Sequence, residues 1–222
     1  MKNVRLQCAV LQPVTIAPES VDVVLTRLAA DAVPRLRATR GLIAFSVLMN
    51  RQGGLVTYGV WETREAATTA RGELDTWFRE NAPGSIAEPV GAIVGEVTAQ
   101  VIGIGANDAS IWRWHVDPTR IETALAAVQN NFLPLIRTTR GFCRCDVVVD
   151  RASGALAAIV GFESEATADR ARDLVAPWSE QNAELLGDAP ADVASYAVPL
   201  RAVPTASSGR PNSRWPFPRR NR

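Results

Sequence analysis

Apolar residues along this chain fall at two spacings, and the spacings change over in the same order twice. A β-prone run from Val4 to Leu11 ends at Pro13. Beyond Pro18, the residues Val21, Val24, Leu25, Leu28, Ala32 and Leu36 recur at helix-face spacing. Pro34, in the last turns, predicts a kink or an early stop, and Gly41 closes the segment. Leu42–Met49 is almost wholly apolar, which predicts a strand covered on both faces. Residues 51–54 turn it back into a second strand, Leu55–Trp61. Glu62–Glu65 opens a helix carried by Ala66–Asn81. Pro83 and Gly84 break that helix, and Val90–Ile102, interrupted by glycines, predicts a bent or bulged strand.

The second pass follows the same order. Ile111–Val116 predicts a strand, Asp117-Pro118 a helix N-cap with proline in the first turn, and the helix runs to about Thr139. Phe142–Val149 and Ala155–Phe162 form the second hairpin. A helix from Ser164 to about Leu186 is expected to kink at Pro177, and Asp192–Leu200 is the last strand. Between the 21-residue windows 34–54 and 134–154, eight positions are identical (Pro34, Arg37, Thr39, Arg40, Gly41, Val47, Arg51 and Gly54, each repeated 100 residues on), which marks a duplication.

Each copy reads β-α-β-β-α-β, the split βαβ arrangement of a ferredoxin-like unit: a four-stranded antiparallel sheet with two helices on one face. Such a sheet should alternate apolar and polar residues, yet the hairpin strands are apolar on both faces. The bare face of each sheet therefore needs the other as its cover. The predicted fold class is α+β, two ferredoxin-like repeats with antiparallel sheets face to face in one barrel-like core, a pseudo-dimer within one chain. The expected boundaries are 1–103 for the first repeat, 108–203 for the second and 204–222 for a disordered basic tail.

Charge sharpens this division. The tail carries five Arg and no acid, leaving 19 basic against 23 acidic residues before it. The body therefore does not read as a nucleic-acid binder. No apolar run approaches the ~18 residues of a membrane span, so no membrane partner is expected. Three cysteines without framework spacing suit a reducing, cytoplasmic setting.

The junction Tyr58-Gly-Val-Trp61-Glu62-Thr-Arg-Glu65-Ala66, with its counterpart Val160-Gly-Phe162-Glu163-Ser-Glu165-Ala166, resembles the antibiotic biosynthesis monooxygenase-like domains of the dimeric α+β barrel superfamily. The resemblance covers residues 4–200 and implies an intramolecular dimeric α+β barrel. It also implies a cofactor-independent monooxygenase acting on an aromatic or polyketide-like small molecule, held in an apolar pocket whose polar groups stabilise its anion. The alternative is a non-catalytic small-molecule-binding or regulatory member of the superfamily. Haem-using relatives place a ligating His on the second helix. Neither Ala66–Asn81 nor Thr167–Leu186 contains one, so no cofactor is expected and haem is set aside. Further self-association of the pseudo-dimer is left open.

The candidate substrate-binding residues are Trp112, Arg113, Trp114, His115, Arg144 and Asp146. In an extended strand Trp112 and Trp114 share one face, Arg113 and His115 the other. Arg144 and Asp146 stand where the first copy has Ala44 and Ser46. Two readings stay open. In one, Arg113, His115 and Arg144 hold an anionic ligand walled by the tryptophans. In the other, Arg144 and Asp146 pair on an outer edge strand and His115 is a hydrogen-bonded imidazole. Trp77 and Trp178, matched on the second helices, read as core. One His and a Cys-x-Cys do not make a zinc set, so no metal is expected. Only Arg144 would lower a thiol pKa at Cys143 or Cys145.

Overall fold

The computed structural model describes residues 7–50, 54–82, 86–87, 92–101, 103, 106–187 and 194–202. The expected strand residues Val4–Leu6, the first hairpin tip, the Pro83-Gly84 break and the 204–222 tail lie outside the described residues.

Eight strands close into one antiparallel barrel. The first repeat supplies β1 (Cys8–Thr15), β2 (Leu42–Met49), β3 (Leu55–Trp61) and β5 (Ile93–Val101), with a two-residue strand β4 (Ile86–Ala87) beside β1. The second supplies β6 (Asp108–His115), β7 (Phe142–Asp150), β8 (Ala155–Phe162) and β9 (Ala194–Ala202). Around the barrel the order is β1-β3-β2-β9-β6-β8-β7-β5 and back to β1. The two sheets do more than stack. β5 pairs with β1 through Ile93–Glu96 and then with β7 through Glu96–Val101, across a register shift between Val97 and Ala99. β9 likewise pairs with β6 through Ala194–Ala197 and with β2 through Ala197–Ala202. Each copy's last strand thus crosses to the other copy's hairpin, and among the described residues the eight long strands form a closed ring.

This topology accounts for hairpin strands that are apolar on both sides. Val10, Phe45, Val47 and Trp61 face the first copy's helices, and Val147, Leu156, Val160 and Phe162 face the second copy's. The alternating residues Leu11, Leu48, Val56, Ile111, Val148 and Ile159 fill the barrel itself.

Two expectations change. β1 runs through Pro13, which pairs with Val56 of β3. On its other side β1 passes there from β5 (at Leu11) to β4 (at Val14), so no ladder partner misses the absent N–H. Pro34 does not stop its helix. α1 (Val21–Arg27) widens into a π-turn at Leu28–Ala32 and continues as α2 (Val33–Ala38). In the second copy α4 (Ile121–Ala127), a π-turn at Val128–Phe132 and α5 (Leu133–Arg137) repeat this ahead of Pro134. Proline cannot donate to the carbonyl four residues back and its ring crowds it; the wider turn relieves both problems. α3 (Arg64–Asn81) and α6 (Glu165–Gln181), with the short α7 (Ala183–Leu186), complete the two outer layers. Gly41 and Gly141 both have φ +84°, a conformation closed to other residues at little cost.

Candidate functional site

The six residues singled out in the second copy divide between two environments. Trp112 and Trp114 point from β6 toward the helices and are buried. Their rings meet Phe132 edge-on at 5.3 and 5.6 Å, and Trp114 meets Trp178 at 6.3 Å. Phe132 and Trp178 lie 5.4 Å apart. Four aromatics therefore fill the sheet–helix space of this copy. The indole nitrogens of Trp114 and Trp178 have no hydrogen-bond partner.

Arg113 stands on the barrel-facing side, with its Nε and one Nη buried and unpartnered. His115 is exposed at the end of β6. Arg144 and Asp146 also face the barrel, and the structure brings them together: Arg144 Nη2 lies 2.6 Å from Asp146 Oδ2. Their strand, β7, is flanked by β8 and β5, so the pair is not on an edge. Asp146 is 1% exposed, and its other oxygen accepts from Gln100 Nε2 of β5 at 2.8 Å. Room for Arg144 comes from its β8 partner Gly161, where a Cβ would sit 2.7 Å from Arg144 Cγ. The first copy has Val60 there, beside Ala44. The copies have exchanged bulk between two facing positions.

Residues not singled out in the sequence complete this cluster. Tyr58 of β3, 2% exposed, lies beside Asp146, with its hydroxyl lacking a well-formed hydrogen bond. Burial first, and the Asp146 charge second, push its pKa well up, so the hydroxyl keeps its proton. Ser46 is opposite Tyr58, and Arg201 of β9 is opposite Ser46.

The thiols are not activated. Cys145 points into the helix-side core, where burial and then Asp146 raise its pKa; burial raises that of Cys143 and Cys8 also. We expect alkylating reagent to label Cys145 only on unfolding. Labelling followed by mass spectrometry checks this, and native-state modification at the denatured rate would contradict it. Among the described residues no group of three or more His, Cys, Asp or Glu could hold a metal ion.

A concave site lies in the first copy. A cleft of about 810 Å³ opens between α2 and α3. Its floor is Leu36, Leu74 and Trp77, each at most 4% exposed, and Ala32 forms part of its wall. Arg35, Thr39, Glu73 and Glu80 stand around it. The Trp77 indole donates to Asp31 Oδ2 at 2.8 Å, and Asp31 also holds Arg35 at 2.8 Å. The two copies differ beneath and beside this cleft, of which Ala32 is a lining residue. Where the second has Trp112, Trp114 and Phe132, the first has Gln12, Val14 and Ala32. Gln12 is buried and reaches Asp75 of α3 through its amide nitrogen, while its Oε1 has no partner.

No protein-family model matches the sequence. Over 159 residues, 70% of either chain, it is 25% identical to the uncharacterized proteins MT2634 and Rv2557 of two Mycobacterium tuberculosis strains. Among solved structures, an anthrone oxidase-like protein superposes with a TM-score of 0.66 at 12% identity, over 90% of this chain and 94% of that one. A provisionally assigned monooxygenase from Fusobacterium nucleatum gives 0.63 at 10%, over 90% and 95%. A variant of chlorite dismutase from Candidatus Nitrospira defluvii gives 0.60 at 9%, over 86% and 90%. The fold is the one these monooxygenase, anthrone oxidase-like and chlorite dismutase structures share, an α+β antiparallel barrel of ferredoxin-like units. The single-chain eight-stranded barrel fits a tandem pseudo-dimer.

The same comparison corrects one expectation. Chlorite dismutases, which use haem, share this fold. The missing histidine on the second helices therefore does not remove haem from the ligands the fold serves, and the expectation of no cofactor is withdrawn. Within the first-copy cleft the lining residues include no imidazole, thiol, thioether or phenol, so no axial ligand is assigned there. Among the described residues no helix is long and apolar enough to cross a membrane.

Proposed function

We propose that the chain is a monooxygenase-like oxidoreductase of aromatic or polyketide-like small molecules, binding them in the α2–α3 cleft of the first copy. One observation carries this reading: the cleft is walled by Ala32 where the second copy has Phe132, the ring that meets its three tryptophans. A volume of about 810 Å³ accommodates a small polycyclic ligand, and an apolar floor under a few polar groups is the usual composition of such sites. A flat ring system lies over Leu36, Leu74 and Trp77. A phenolate formed from it faces Arg35, which Asp31 holds at the rim. The names of the structural neighbours, monooxygenase and anthrone oxidase-like, agree with this class of chemistry. The repeats 1–103 and 108–203 then divide the labour, the first binding and the second bracing.

A second reading, a binding module without catalysis, is favoured by the position of the cleft's charged groups. Arg35, Glu73 and Glu80 are all exposed on helix surfaces rather than sequestered with the ligand.

Ala32→Phe, which installs the second copy's residue, tests the site. We expect it to weaken binding of an anthrone or quinol more than about tenfold, read by Trp fluorescence and by oxygen consumption. Ala32 is 3% exposed, so the added ring should also lower stability by about 1–3 kcal/mol. Turnover abolished together with binding supports the enzyme; ligand binding with no oxygen uptake in the wild type supports the binding module. Unchanged binding in Ala32→Phe removes the cleft from consideration.

A further inference from the structure

Between the first copy's sheet and α3 lies a cross-strand pair whose polar atoms do not all find partners. Gln12 of β1 stands directly opposite Thr57 of β3, and each is 1% exposed. The Gln12 amide nitrogen donates to Asp75 Oδ1 of α3. An ionised carboxylate only accepts, so this bond fixes which way round the amide lies and leaves Gln12 Oε1 to find a donor elsewhere. None reaches it: Oε1 has no hydrogen-bond partner, and neither has the hydroxyl of Thr57. The neighbours on this face are apolar. Val10 and Val14 flank Gln12 along β1, and Val47 of β2 lies on the other side of Thr57. A carbonyl oxygen and a hydroxyl kept from bulk water in such surroundings are costly to leave unpaired.

The second copy fills the same layer differently. Its corresponding pair is Trp112 opposite Ala158, and Ala176 stands where α3 has Asp75. Taken together, the three first-copy side chains are smaller by roughly the share of one water molecule, about 30 Å³. We infer that the first copy encloses a single water there, which donates to Gln12 Oε1 and is hydrogen-bonded to the Thr57 hydroxyl. Directly opposed side chains of an antiparallel pair start about 5 Å apart at Cβ, a gap that one water spans. Water is the ligand these groups select. One atom needs a donor, the other can give or take, and no charge is left over, since Asp75 already accepts from Gln12 and lies 3.9 Å from Arg71 Nε. The bridge completes a chain of hydrogen bonds from Thr57 through the water and Gln12 to Asp75. It ties α3 to two strands where the second copy relies on an indole. None of the three residues lines the α2–α3 cleft, and the water site is independent of the ligand proposed there.

Two measurements on the full chain test the site. Oxygen-17 magnetic relaxation dispersion counts the waters that stay bound for longer than the protein takes to tumble. The wild type should hold one more such water than Thr57→Val, which keeps the shape of the side chain and removes its hydroxyl. It should also hold one more than Gln12→Leu. Installing the second copy's pair, Gln12→Trp with Thr57→Ala, should lose the same water, because the indole takes its place. A crystal structure of the wild type should show the water within hydrogen-bond distance of both Gln12 Oε1 and Thr57 Oγ1, and this holds as a test where a variant fails to fold. Equal counts in the wild type and every folded variant would overturn the inference. So would density in which the Thr57 hydroxyl bonds directly to Gln12 Oε1 with nothing between them.

Discussion

Arg144→Ala is expected to destabilise the protein by about 3–5 kcal/mol, the cost of leaving a buried carboxylate without its cation. Asp146 is 1% exposed and lies in a barrel otherwise filled by residues such as Leu11, Val148 and Ile159. Gln100 alone cannot neutralise it. The first copy shows the remedy, because its own matching positions are Ala44 and Ser46. Arg144→Ala combined with Asp146→Ser should therefore recover most of the loss, with an interaction energy of about 2 kcal/mol or more in the double-mutant cycle. Urea unfolding of the four proteins measures it. If the two substitutions simply add, the pair contributes no specific stabilisation, and the cluster around Asp146 cannot be a coupled unit.

Phe132→Ala should cost a similar amount, about 3–5 kcal/mol. Phe132 is 0% exposed and is the one ring in contact with all three tryptophans, Trp112, Trp114 and Trp178. Removing it leaves a space bounded by indoles that have lost their edge-on partner. The near-ultraviolet circular dichroism of the second copy should weaken accordingly. The consequence reaches beyond stability: the variant gives the second copy the alanine that shapes the first copy's cleft. A protein that stays folded at low temperature should take up an aromatic ligand there, read by fluorescence quenching. A loss below about 1 kcal/mol would show that the four-ring cluster is loose and that the second copy is not the braced half.

Much of this fold was legible because local signals and the duplication agreed. The hairpins, the Asp117 cap and the two-sided apolar strands each followed from periodicity and turn chemistry. Pro34 misled because its cost depends on whether the preceding turn can widen, and both copies widen it at the same place. The candidate site was half legible. The Ala44/Arg144 and Ser46/Asp146 differences pointed into the barrel. Tyr58, Gln100 and Arg201 could not be joined to them, since they meet through the slant of the strands and not through spacing along the chain. Trp112 and Trp114 drew attention as pocket walls, yet their rings are spent on each other's neighbours. The decisive signal for the cleft was an ordinary alanine, Ala32, visible only when read against Phe132.

The crossing of β5 and β9 sets the order in which the molecule can be completed. Strand β2, finished by residue 49, acquires its second neighbour only when residues 197–202 arrive. While the chain is being synthesised, the first copy carries an open edge along β2, and β5 offers its far half to a β7 that does not yet exist. Pairings this distant in sequence make closure slow compared with hairpin formation, and the open edges are the surfaces through which premature association would begin. The last strand to emerge is the one that seals the barrel, so a chain ending before residue 194 leaves both copies unsealed.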